Sequence, residues 1–184
     1  MGNRSSSPRP GTSGPGDVGV DDRAADPDAD PYSVARSIAL KQLTMAPKSR
    51  AQLREAMARR NVSGDVADAV LDRLEQVKLV DDAAFAEGWV RSRQQGRGLA
   101  RRALAHELRA KGVDDDTARA ALDEIDPDDE AAAARRLVDR KVAATRGLDR
   151  QVRVRRLAGM LARKGYPSGL SMQVVREALD DDGG

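Results

Sequence analysis

Apolar side chains recur three and four residues apart from Ser33 onward. Val34, Ile38 and Leu43 form a first stripe, and Pro47 ends it. Ser49 precedes Leu53 and Met57, four residues apart, so it is expected to cap a second helix. Ser63 precedes a third stripe of Val66, Val70, Leu71 and Leu74. A helix turns once per 3.6 residues, so positions spaced this way share one inward face. Ahead of them, residues 1–32 are rich in Gly, Ser, Pro and Asp and poor in large apolar residues. Such a stretch cannot bury enough surface to offset the entropy of ordering and is expected to be a disordered tail.

The helical plan repeats. Leu53-x3-Met57-x2-Arg60-Asn61-Val62 returns as Leu104-x3-Leu108-x2-Lys111-Gly112-Val113. It returns again as Leu157-x3-Leu161-x2-Lys164-Gly165-Tyr166, at offsets of 51 and 53 residues. Each column has a physical reason. The two apolar positions share one inner face, and a base in the last turn complements the helix dipole. Gly and Asn enter the left-handed conformation that ends a helix, and an apolar residue follows it. Leu71, Leu122 and Val175 then stand ten residues past each stop. The chain therefore reads as all-α: three tandem three-helix modules near 33–80, 81–126 and 127–182, stacked into an elongated, curved body. Long basic helices over 128–145 and 149–164 are expected to dominate the third.

Composition agrees. Aromatic residues are only 2% and charged residues 34%, so the cores must be built from Leu, Val, Ile, Met and Ala. With no cysteine and one histidine, disulfides, thiolate sites and multi-histidine metal sites are excluded. No apolar run is long enough to span a membrane, and the first thirty residues lack a secretory h-region. A soluble cytoplasmic protein is the expectation.

The net charge of +2 hides strong segregation. Between Arg91 and Lys111, seven bases face the single acid Glu107; over 135–164, eleven bases face two acids. The candidate contact residues are Arg91, Arg93, Arg97, Arg101, Arg102, Arg109 and Lys111 in the first block. In the second they are Arg153, Arg156, Arg163 and Lys164. Such stripes suit DNA phosphates or an acidic protein groove, and binding to DNA would be salt-sensitive. Solvated helix faces are the plainer reading.

Catalysis has little support. There is no phosphate-binding Gly loop, no nucleophile elbow and no acid–base constellation, and His106 lacks partners. No cofactor is expected. The Asp clusters lack calcium-loop punctuation and suit helix N-termini. Phe85 and Trp89, four apart, favour core packing over stacking on a base.

The central segment resembles the RecX family. The resemblance rests on Leu79-Val80-Asp81-Asp82, Phe85-Ala86, Trp89-Val90, Arg93, the turn at Gly96 and Gly98, Glu107-Leu108-Arg109 and Lys111-Gly112-Val113. Leu157 through Tyr166 add to it, and the match spans about residues 34–180. It implies a monomeric, non-enzymatic regulator of the RecA recombinase that docks on the RecA–single-stranded DNA filament and opposes its activity. A role in DNA repair, recombination and the SOS response follows from it. Under it Asp82, Phe85, Trp89, Leu104, Leu108, Gly112 and Gly165 are structural, and the basic positions meet the filament. Direct binding of single-stranded DNA, and a helical adaptor unrelated to recombination, are the alternatives.

Overall fold

A computed structural model describes residues 30–183, so the expectation of a disordered tail falls almost wholly outside the described residues. Within them the chain is all-α. The helices are α1 (Pro31–Met45), α2 (Arg50–Ala58), α3 (Gly64–Gln76), α4 (Asp82–Arg97), α5 (Arg101–Ala110), α6 (Asp115–Asp123), α7 (Pro127–Val142), α8 (Arg150–Arg163) and α9 (Ser168–Asp182). They group in threes, and each trio closes around its own apolar cluster. Leu53, Met57 and Leu71 centre the first, Leu104 and Leu108 the second, and Leu161, Val175 and Leu179 the third, all at most 1% exposed.

The expected helix stops are formed. Asn61, Gly112 and Gly165 all take positive φ, at 60°, 73° and 89°. The N–H of the next residue reaches back to the helix: Val62 to the Met57 carbonyl, Val113 to Leu108 and Tyr166 to Leu161. This is the Schellman arrangement, which satisfies carbonyls that the helix leaves open. Ser49 caps α2 as expected, with Gln52 reciprocating.

Several local expectations differ from the structure. The cap of α1 is Asp30, whose carboxylate accepts from the N–H groups of Tyr32 and Ser33, so the helix starts at Pro31 rather than Ser33. Its innermost residues are Ala35 and Ala39, with Val34, Ile38 and Leu43 only half-buried beside them. Small residues lie at the closest approach because helix backbones meet there. The α7 helix ends at Val142 in a 3-10 turn, Ala143–Thr145, three residues short of the expected stop.

α1–α3 and α4–α6 correspond without a gap: adding 51 carries 31–45 onto 82–96, 50–58 onto 101–109, and the caps Asp30 and Ser63 onto Asp81 and Asp114. The third module departs from this register. Its middle helix starts an extra turn early, and Arg150 and Arg153 of that turn pair with Asp180 and Asp182 at the end of α9. That extra turn ties the start of α8 to the end of α9.

Candidate partner interface at the joints between modules

Adjacent modules meet through a repeated joint. At the first, Ser49 Oγ donates to the Lys111 carbonyl at 2.6 Å, and the Arg50 N–H donates to Asp82 Oδ1 at 2.8 Å. At the second, the Ala100 N–H donates to the Lys164 carbonyl at 2.9 Å, and the Arg101 N–H donates to Glu130 Oε1 at 2.8 Å. In both, the first helix of one module supplies a carboxylate to the open N-terminus of the preceding module's second helix. In both, the arginine that starts that helix turns back to its own module. Arg50 meets Asp72 and Glu75 at 2.7 and 2.6 Å, whereas Arg101 lies 3.5 Å from Asp123 and bonds the Ile125 carbonyl. Burial pushes the Asp82 carboxyl up, opposed by the Arg50 N–H and reinforced by Glu75 and Asp114.

One glycine completes each joint. A Cβ on Gly112 would run into Ala51 of the preceding module, and one on Gly165 would lie 2.6 Å from the Ala103 nitrogen. Tyr166, buried beside Gly165, donates its hydroxyl to the Gly98 carbonyl at 3.2 Å. Burial and the nearby Glu130 charge push its phenol up to about 12, against a smaller pull from Arg136.

This architecture sorts the candidate cations. Lys111 and Arg93 each lie 4.0 Å from the centre of the Trp89 ring, on which both stack, and Arg93 also pairs with Glu107 at 3.2 Å. The Trp89 N–H donates to Glu107 at 2.8 Å, and Phe85 stacks at 5.9 Å. Trp89 is thus clasped by its own module rather than presented to a base. Arg101 is bound within the second joint. Arg153 is largely buried and held by Thr145 and Asp182. Arg109 faces Asp115 at 3.2 Å. Arg91, Arg97, Arg102, Arg156 and Arg163 are exposed and form no ion pair among the described residues.

Three of these exposed cations, Arg97, Arg102 and Arg163, lie at the second joint. A cleft of about 560 Å³ between the end of α4 and α7 is lined by Arg97, Arg136, Arg140 and Lys164, with no carboxylate in its lining. The Lys164 ammonium bonds the Arg97 carbonyl at 2.5 Å. Leu99 separates it from a groove of about 850 Å³ between α5 and α8, where Arg102, His106 and Arg163 line the wall. Arg136 and Arg140 are absent from the candidates read from sequence. Their signal was a basic pair four apart on α7, inside the block already noted for its positive charge. Four cations and no anion make a focused positive potential suited to phosphates or carboxylates. No group of three His, Asp or Glu side chains among the described residues is placed to hold a metal ion. No described helix is long and apolar enough to cross a membrane.

Comparisons agree with this architecture. Family models described as the RecX first, second and third three-helix domains match residues 35–74, 81–122 and 128–175. A regulatory protein RecX of Thermobifida fusca is 58% identical over 154 residues, covering 84% of this chain and 83% of the relative. One of Streptomyces coelicolor is 52% identical over 158 residues, covering 86% and 84%. The crystal structure of RecX from Lactobacillus salivarius shares the fold with a TM-score of 0.75 at 19% identity, covering 82% of this chain and 97% of that one. Three consecutive domain matches on three consecutive helical modules, with relatives this similar across most of the chain, place it plainly: the chain belongs to the RecX family of regulatory proteins.

Proposed function

We propose that this chain binds the RecA–single-stranded DNA filament as a monomer in the cytoplasm and restrains the ATPase and recombinase activity of RecA, without catalysis of its own. The family supports a regulatory role. The observation that carries the contact assignment is the cleft of Arg97, Arg136, Arg140 and Lys164, which has no carboxylate in its lining. Across Leu99, Arg102 and Arg163 add positive charge to a groove whose lining also includes Glu107, itself paired with Arg93. A rigid body with a positive cleft between two modules can follow a repeating anionic surface, protein or DNA, with one module per step. Modules bounded near 80 and 126 act as those steps.

Of the candidates read from sequence, Arg97, Arg102, Arg163 and Lys164 belong to this surface. Arg91 and Arg156 lie outside it, and Arg93, Arg101, Arg109, Lys111 and Arg153 serve the fold. The test is inhibition of RecA by an Arg136→Glu, Arg140→Glu variant. Inhibition should fall by about tenfold or more, since reversing two charges at a contact costs several kcal/mol, with helicity unchanged. Full inhibition by that variant overturns the assignment.

Direct capture of single-stranded DNA is the second reading, because the same cleft can accept phosphates. It requires binding to naked DNA that weakens steeply with salt. Inhibition that excess DNA relieves would favour it.

A further inference from the structure

The correspondence between the first two modules exposes a groove that the second module fills. Adding 51 carries Val34 onto Phe85, Ile38 onto Trp89, Ala56 onto Glu107 and Arg60 onto Lys111. In the second module the indole occupies the space between α4 and α5, against Phe85, between two cations and bonded to Glu107. In the first module the same space between α1 and α2 is an open groove of about 570 Å³. Val34, Ile38 and Ala56 form its apolar floor, and Lys41, Arg59 and Arg60 its rim. Arg59 pairs with Glu55 at 2.7 Å, while Lys41 and Arg60 form no ion pair among the described residues. This module thus keeps Arg60 for Lys111, has Gln42 where Arg93 stands, adds Lys41 on the rim, and lacks the ring and the carboxylate.

We infer that this groove is a docking site for a polypeptide partner that presents an aromatic side chain beside a carboxylate. The ring would fill the seat that Trp89 fills one module along. Its face would meet the Arg60 guanidinium, an attraction that desolvation strengthens. The neighbouring carboxylate would pair with Lys41 or Arg60, taking the part of Glu107. A nucleobase fits less well, because base-binding grooves offer aromatic platforms and this floor is aliphatic. The site lies on the first module, apart from the cleft at the second joint, and its test uses neither RecA nor DNA filaments. Its failure would leave the filament reading untouched.

The experiment is an amide chemical-shift titration of the full nitrogen-15-labelled chain with the acetylated peptide Glu-Glu-Trp-Glu-Glu. Amides of residues 34–42 and 56–60 should shift, and a peptide with Ala for Trp should bind at least about tenfold more weakly, as for a central aromatic anchor. Ile38→Trp supplies the ring from the chain itself, as the second module does, and should abolish the response. If that variant fails to fold, Lys41→Glu with Arg60→Glu on the exposed rim carries the test and should weaken binding about tenfold. No shifts, shifts elsewhere, or undiminished binding by the variants would overturn the inference. So would shifts of the same amides by an oligothymidylate but not the peptide. A response that appears only after Val18→Ser and Val20→Ser would overturn it too. That result would assign the groove to the chain's own acidic segment, residues 17–22.

Discussion

The helix stops show how one side chain's neighbour decides its identity. Asn61, Gly112 and Gly165 share one backbone conformation, yet only the second and third must be glycine. Ala51 and Ala103 of the preceding modules press on Gly112 and Gly165, and among the described residues no module stands before Asn61. Gly112→Ala or Gly165→Ala should therefore destabilise the chain by about 2–4 kcal/mol, combining left-handed strain with overpacking. Asn61→Gly should change stability by a few tenths of a kcal/mol at most. Thermal melts of the three variants check the contrast. Trp89 gives a second test, because it is the only tryptophan. Glu107→Ala removes the acceptor of its N–H and the partner of Arg93, so its emission should move to the red and stability should fall by about 1 kcal/mol. The stop residues were legible in sequence because capping is local. The partner of Lys111 was not, since a cation over a ring one helix away leaves no mark on spacing, whereas Arg93 stands four residues after Trp89, at helical-neighbour spacing.

At the scale of elements, the joints and the end of α9 carry the information that periodicity misses. Asp82 was legible as a motif residue, and its task of capping α2 across 32 positions was not. Glu130 performs the same task at the second joint, where its place in the acidic run 128–130 suited the start of its own helix rather than that of α5. The face of α1 was read one residue off because alanine is a weak apolar marker, although Ala35 and Ala39 are fully buried. Arg146 and Arg153, each 2.5 Å from Asp182, hold its carboxyl down at about 2. A depressed folded-state value means stability that is full above the ordinary carboxylate range near 3.8 and is lost as pH falls toward 2. The last turn of α9 should open first in that window, seen as faster amide exchange at residues 178–182, and Asp182→Asn should open it at neutral pH. Tyr166 works in the opposite direction. Its raised value means stability that is full below pH 10 and is lost between pH 10 and about 12. Tyr166→Phe should flatten the alkaline limb of a stability–pH profile.

At the scale of the molecule, three small cores are strung together by two joints of one design. Each core alone is modest, and only Ala100 of the second module enters the third cluster, so the angle between modules depends largely on Ser49, Asp82, Glu130 and the two glycines. The repeat predicted a stacked body, and sequence segregation predicted two positive regions. Convergence of Arg97, Arg136, Arg140 and Lys164 at one cleft needed the fold, because residues up to 67 positions apart meet there. We propose that this cleft engages the RecA filament. Its most direct test is the single-stranded-DNA-dependent ATPase rate of the cognate RecA, with DNA in excess, titrated with the chain and with its Arg136→Glu, Arg140→Glu variant. The expected result is loss of rate at substoichiometric protein and little loss with the equally helical variant. Equal inhibition by both, or inhibition that added DNA relieves, would contradict it.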